Sequence, residues 1–190
     1  MSELQISDTV VIGVGNTILS DDGVGVHAAR ILQTDPRLPA EVTVLDGGTF
    51  GLELISYVAD ASYVLLLDAM NSGNAPGTLA RMTGSDLLNT KQGWSVHQLG
   101  VGDLISALFL MAARTQEIVV LGVQPASTDW GTTLSAEVEA ALEPLVDAAL
   151  AQVQLWKAVH EVGLEPHLSP LTSRKLPDRA PSTRSGHGGL

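Results

Sequence analysis

Residues 9–25 read TVVIGVGNTILSDDGVG, a β-branched apolar run that stops at glycines and passes through an acidic turn. Beyond it, Val24, Ala28, Ile31 and Leu32 recur at helical spacing, so the order is strand, loop, helix. That order returns downstream. Residues 41–46 (EVTVLD) predict a strand, and Leu52, Ile55, Val58 and Ala59 then share a helical face. Residues 62–68 (SYVLLLD) are almost continuously apolar, the pattern of a strand covered on both faces at the centre of a sheet. NSGNAPG at 71–77 is turn chemistry, and TLARM after it predicts a short edge strand.

Further along, Val101, Leu104, Ile105, Leu108, Met111 and Ala112 predict a third helix, and residues 117–123 (EIVVLGV) a further buried strand. A fourth helix is expected from Ser135, whose hydroxyl can cap it, with a stripe running through Val138, Leu142, Leu145, Ala149 and Val153 to Trp156. Pro144 lies inside that stripe and should bend the helix or mark its true first turn. Strands alternating with helices predict an α/β fold. It is expected as a single-domain three-layer sandwich, a twisted, mainly parallel sheet of about five strands with helices on both faces. The domain is expected over residues 1–156. Residues 157–190, rich in Pro, Ser, Thr, Arg and Gly, are expected to form a disordered tail.

The 190 residues are 45% apolar, enough for one well-filled core. Their net charge of −11 is uneven: residues 1–150 hold 18 acids against 5 bases, and the remainder 3 against 5. An acidic body repels phosphate backbones and anionic lipid heads, which argues against nucleic-acid and membrane-surface binding. Absence of cysteine removes disulfides, thiolate nucleophiles, Fe–S ligands and Cys-type zinc sites. No apolar run is long enough to span a bilayer, and the start MSELQISD lacks the basic and apolar regions of a signal peptide. A soluble cytoplasmic protein is expected, its oligomeric state open with a monomer as the default.

Glycines after the first strand invite a dinucleotide reading, but Gly13 and Gly15 require a small residue where Ile18 stands. Gly23, Gly25 and Ala28 have the right spelling but no strand leading into them. Those glycines can simply allow tight turns. Asp21 and Asp22 stand at the expected helix start, where one can serve as N-cap and the other be solvated; that explains one aspartate better than two. Asp46 and Asp68 each end a hydrophobic strand, on the edge where open α/β sheets bind ligands. His97, in SVHQLG, precedes the third expected helix. A lone histidine is more often structural than a ligand. Asp22, Asp68 and His97 together would nonetheless form a borderline-hard metal site compatible with Zn, Ni, Mn or Fe, with a position left open. Neither H-E-x-x-H nor G-x-S-x-G is present.

Five blocks in one order, GVGNTILSDDGVGV, VLDGGTFGLELI, LLLDAMNSGNAPGTL, SVHQLGVGDLISAL and VVLGVQP, resemble the maturation endopeptidases of [NiFe]-hydrogenases over about residues 9 to 156. The resemblance implies a protease that removes a C-terminal peptide from the hydrogenase large-subunit precursor once nickel has been inserted. It implies a twisted, mainly parallel sheet between helices. Its three metal-contacting positions fall on Asp22, Asp68 and His97, with Asp22 and Asp68 catalytic; many relatives carry glutamate at the first. Asp46 aligns with an acidic position bordering the substrate groove, where Gly47 and Gly48 would let a substrate backbone approach.

Two mechanisms stay open. Nickel in the precursor can be sensed by the triad while one aspartate acts as base on water, or a metal held by the triad can itself lower the pKa of the attacking water. The first is preferred, with nickel supplied by the precursor and not held permanently. The rival functions are a nickel-responsive chaperone without catalysis, a metal-dependent hydrolase of a small substrate and, last, a nucleotide-binding enzyme.

Overall fold

The computed structural model describes residues 8–84, 86 and 115–162. Among them, five strands form one sheet: β1 (Thr9–Val14), β2 (Thr43–Gly48), β3 (Tyr63–Ala69), β4 (Leu79–Thr83) and β5 (Glu117–Val123), in the order β2-β1-β3-β5-β4. β1, β2, β3 and β5 are parallel, and β4 closes one edge antiparallel to β5. Helix α1 (Val24–Leu32) follows β1 through a 3-10 turn, Ser20–Gly23. A second 3-10 turn, Gly51–Leu54, leads into the single turn of α2 (Ile55–Val58), and the long α3 (Ala136–Val162) follows β5.

Side-chain parity sorts the core into two layers. Val11, Leu65, Leu67, Val119 and Leu121 project toward α1 and α3, while Val10, Ile12, Val64, Leu66 and Val120 project to the face that Leu54 and Val58 cover. Helices on both faces of a mainly parallel sheet are the expected architecture. β3 is buried at every position, as its unbroken apolar run predicts. Leu65, Leu66 and Leu67 are fully buried, worth about 2 kcal/mol each.

Gly25, in the first turn of α1, has no room for a side chain. A Cβ there would run into the carbonyl oxygens of Leu67 and Val14. The helix start therefore rests on the backbones of β3 and β1, which brings the acidic turn down onto the strand ends. Close packing explains this glycine better than turn formation does.

Several boundaries differ from the sequence reading. β2 begins at Thr43 and runs on through Gly47 and Gly48, because an irregularity between Gly13 and Val14 pairs Val14 with Gly48. The segment around α2 buries Leu54 and Val58, one helical turn apart, and leaves Leu52 half exposed. In α3, Ser135 does cap the helix: its Oγ accepts the Val138 N–H at 3.4 Å. Pro144 neither starts nor interrupts it, since the position is exposed and the carbonyl it leaves without a helical donor can turn to water. The helix also continues past Trp156 to Val162, beyond the boundary set by composition. The third expected helix and residues 163–190 lie outside the described residues. No described helix is long and apolar enough to cross a membrane.

Candidate active site

The chain leaves β1 toward β2 on one side and β3 lies on the other, so the strand order reverses between β1 and β3. Beyond the carboxyl ends of strands at such a reversal lies the crevice where open α/β sheets place ligands. Asp22 enters this region from the 3-10 turn after β1, and Asp68 sits near the end of β3. Both are buried, at 3% and 6% exposure. Asp22 Oδ2 accepts the Asn16 N–H at 2.8 Å, and Asp68 Oδ1 accepts the Ala69 N–H at 2.8 Å. Burial holds the Asp68 carboxyl well above the usual range; the Ala69 N–H pulls it down, and the negative charge of Asp22 pushes it up again. The charge of Asp22 thus reaches the Asp68 carboxyl.

Asp21 does something the sequence reading did not assign. Neither Asp21 nor Asp22 caps α1, which starts without a side-chain cap. Asp21 is fully buried and accepts four hydrogen bonds from the segment after β5: Ala126 N–H at 2.8 Å, Ser127 N–H at 3.0 Å, Ser135 N–H at 2.6 Å and the Ser135 hydroxyl at 2.9 Å. Burial pushes its carboxyl up, but the N–H groups of Ser135, Ser127 and Ala126 and the Ser135 hydroxyl outweigh that and hold it below the ordinary value. Beside it, Ser20 takes a left-handed backbone, φ +48°, held by its N–H on the Gly131 carbonyl at 2.8 Å and its hydroxyl on the Asp129 carbonyl at 3.0 Å. A strained residue and a buried carboxylate thus fix the turn that presents Asp22.

Asp21→Asn should destabilise the protein by about 3 kcal/mol, because an amide leaves part of this donor set facing another donor. Urea unfolding near neutral pH measures it. A carboxyl lowered by folding contributes stability above its unfolded pKa and loses it as pH falls through the folded one. The gap to wild type should accordingly persist under mild acid and close only below the ordinary value of 3.8.

Asp46 lies within β2, in register with Gly13, and is exposed. Its Oδ2 accepts Arg30 Nε at 3.0 Å and Nη2 at 2.8 Å, so α1 already supplies it with a cation. Gly47 is buried, and a Cβ there would meet the Ile12 side chain at 2.5 Å, so its lack of a side chain serves packing against β1. Gly48 differs: its φ is +47°, and a Cβ would find only Asp46 Oδ1, at 3.9 Å. Of the two glycines, Gly48 is the open one. His97 lies outside the described residues, and among those described no group of three or more potential metal ligands forms. A cavity of about 510 Å³ lined by Thr9, Glu41, Tyr63, Trp156 and Lys157 opens at the amino ends of β1 and β3, the end away from Asp22 and Asp68.

The model of a family described as hydrogenase maturation protease matches residues 26–152. The chain belongs to that family. It is 36% identical over 159 residues to the Hydrogenase 2 maturation protease of Escherichia coli (strain K12), covering 82% of this chain and 93% of the relative. It is 35% identical over 146 residues to the hydrogenase expression/formation protein HupM of Azotobacter chroococcum, covering 75% and 69%. Among solved structures it is similar to the hydrogenase maturating endopeptidase HybD from E. coli, with a TM-score of 0.66, 34% identity and coverage of 82% and 93%. It is likewise similar to the [NiFe] hydrogenase maturation protease HybD from Thermococcus kodakarensis, with a TM-score of 0.65, 25% identity and coverage of 76% and 98%.

The chain is thus a hydrolase acting on peptide bonds, and the five-stranded α/β fold of its described residues is the fold of its solved relatives. Beyond Asp21, the sequence reading passed over Gln124, which is buried at the end of β5. It ties the loop after β3 to the site edge, its Oε1 accepting the Ser72 N–H at 2.8 Å and hydroxyl at 3.2 Å. A polar residue directly after a buried strand was the available signal.

Proposed function

We propose that the protease removes the C-terminal extension of a [NiFe]-hydrogenase large-subunit precursor in the cytoplasm after nickel insertion, and that nickel seated in the precursor is its recognition element. In this reading Asp22, Asp68 and His97 contact the nickel, and Asp46, Gly47 and Gly48 border the bound substrate. The observation that carries it is the pair of buried carboxylates, Asp22 and Asp68, at the switch point of the sheet. Two like charges withdrawn from water oppose folding, and a divalent cation arriving between them offsets that cost. Two carboxylates and an imidazole suit nickel as a borderline ion.

Because the ion arrives with the substrate, binding it aligns the scissile bond with the same carboxylates. One of them then takes a proton from water. The water oxygen attacks the peptide carbonyl carbon, the C–N bond breaks, and the proton passes to the leaving amine. A precursor without nickel lacks the group that sets this alignment.

The test mixes purified protease with precursor that carries or lacks nickel and follows the large-subunit mass. Only the nickel-loaded form should shorten. Equal cleavage of both forms would remove the recognition role, and an unchanged mass in both would leave a nickel-responsive chaperone.

A further inference from the structure

Trp130 is 81% exposed and Ile18 is 47% exposed. The backbone brings their segments together. The Gly131 N–H donates to the Ile18 carbonyl at 3.0 Å, the Ser20 N–H to the Gly131 carbonyl at 2.8 Å, and Leu19 and Gly131 form an isolated parallel bridge. Both side chains therefore belong to the same piece of structure as the turn that presents Asp22. Phe50, 60% exposed, follows β2 at this edge, where the Gly48 carbonyl accepts the Gly15 N–H at 2.8 Å.

Among the described residues, the segments at this edge are acidic, with Arg30 of α1 held against Asp46. Segments 15–23, 46–54, 68–78 and 124–135, which surround the strand ends, contain no lysine, arginine or histidine. They carry Asp21, Asp22, Asp46, Glu53, Asp68 and Asp129. Large aromatic side chains left in water beside a site are the usual anchors of protein interfaces. A second copy of this chain is a poor occupant, since two such acidic edges repel each other. Whatever covers Trp130 and Ile18 also reaches the turn of Asp22, so the fitting occupant is the protein substrate itself.

We infer that Trp130 and Ile18 form a docking ridge for the folded body of the precursor, gripping an apolar recess ringed by lysine or arginine side chains. The inference rests on the precursor being the substrate. The ridge holds the client while its extension lies across the carboxylates, which separates affinity from chemistry along one loop.

Steady-state cleavage of nickel-loaded precursor by the full chain tests this, with Trp130→Ala and Trp130→Phe compared with wild type. The alanine variant should raise KM about thirtyfold while kcat stays within about threefold, the loss typical of a central aromatic anchor. Phenylalanine should restore most of it. In hydroxyl-radical footprinting, the peptide holding Trp130 should become protected when precursor is added. An unchanged KM for Trp130→Ala with active wild type overturns the ridge and leaves the substrate reading standing, as does a Trp130 that stays fully reactive. A fall in kcat alone assigns Trp130 to loop structure and likewise overturns the ridge. Wild type that neither binds nor cleaves the precursor overturns the substrate reading, and the ridge's partner with it.

Discussion

Asp68→Asn is expected to lower kcat/KM for the nickel-loaded precursor by about a thousandfold or more, while the protein melts no lower than wild type. The two outcomes have separate causes. An amide has the shape of the carboxylate and keeps an oxygen for the Ala69 N–H, so packing and that hydrogen bond survive. What disappears is a negative charge at a position only 6% exposed, beside a second carboxylate. Removing a charge from such a place relieves a cost of folding. Catalysis loses an oxygen anion that could take a proton or face a metal ion, and an amide does neither well. His97→Ala should be equally inactive. Mass analysis of the precursor gives the activity and a thermal melt gives the stability. Retained cleavage by either variant refutes its assignment, and a large drop in melting temperature for Asp68→Asn refutes the picture of a carboxylate held against its solvation preference.

Gly25→Val is expected to prevent folding. Its Cβ alone would collide with the carbonyl oxygens of Leu67 and Val14, which belong to strands buried in the middle of the sheet. Neither strand can retreat without breaking its pairing, so α1 would have to lift, unpacking Val24, Ala28 and Leu32. The cost should exceed about 4 kcal/mol, a large share of the 5–15 that holds an ordinary domain together. Soluble yield and far-ultraviolet circular dichroism are the measurements. Gly73→Ala is the matching control: its φ is +73° but a Cβ there meets nothing within 4 Å, so about 1 kcal/mol is the expected penalty. Comparable losses at the two positions would show that contact with the strands is not what makes Gly25 necessary.

How much of this was open to reading from residues alone depended on the range of the interaction. The run YVLLLD announces a doubly covered central strand because burial of each residue is written in its own side chain, and β3 has that place. Val24, Ala28 and Leu32 likewise carry their helical period within one short window. β2 ran further than EVTVLD suggested because its last pairing, Gly48 with Val14, follows from an irregularity in the neighbouring strand. Leu52 looked as apolar as Leu54, and only the direction of the 3-10 turn decides which is covered.

The site divides in the same way. Asp22 and Asp68 could be proposed as neighbours from strand-end placement, since the alternation of elements puts both at one edge. The task of Asp21 could not. Its partners Ala126, Ser127 and Ser135 stand 105, 106 and 114 positions away, and nothing local in SDDG distinguishes it from a cap. Trp130 stands alone among polar neighbours in STDWGTT and was not singled out, because whether an aromatic ring is sheltered depends on the finished fold.

The bonds made by Asp21 also set an order of events during synthesis. The turn bearing Asp22 emerges early from the ribosome, yet the groups that fasten it lie beyond residue 125. A nascent chain halted short of Ser135 therefore has its first carboxylate without the anchor that aims it. If Asp22 has the proposed role, hydrolytic competence waits for nearly the whole domain to be made, and truncated polypeptides released by interrupted translation carry the acidic residues without a working blade.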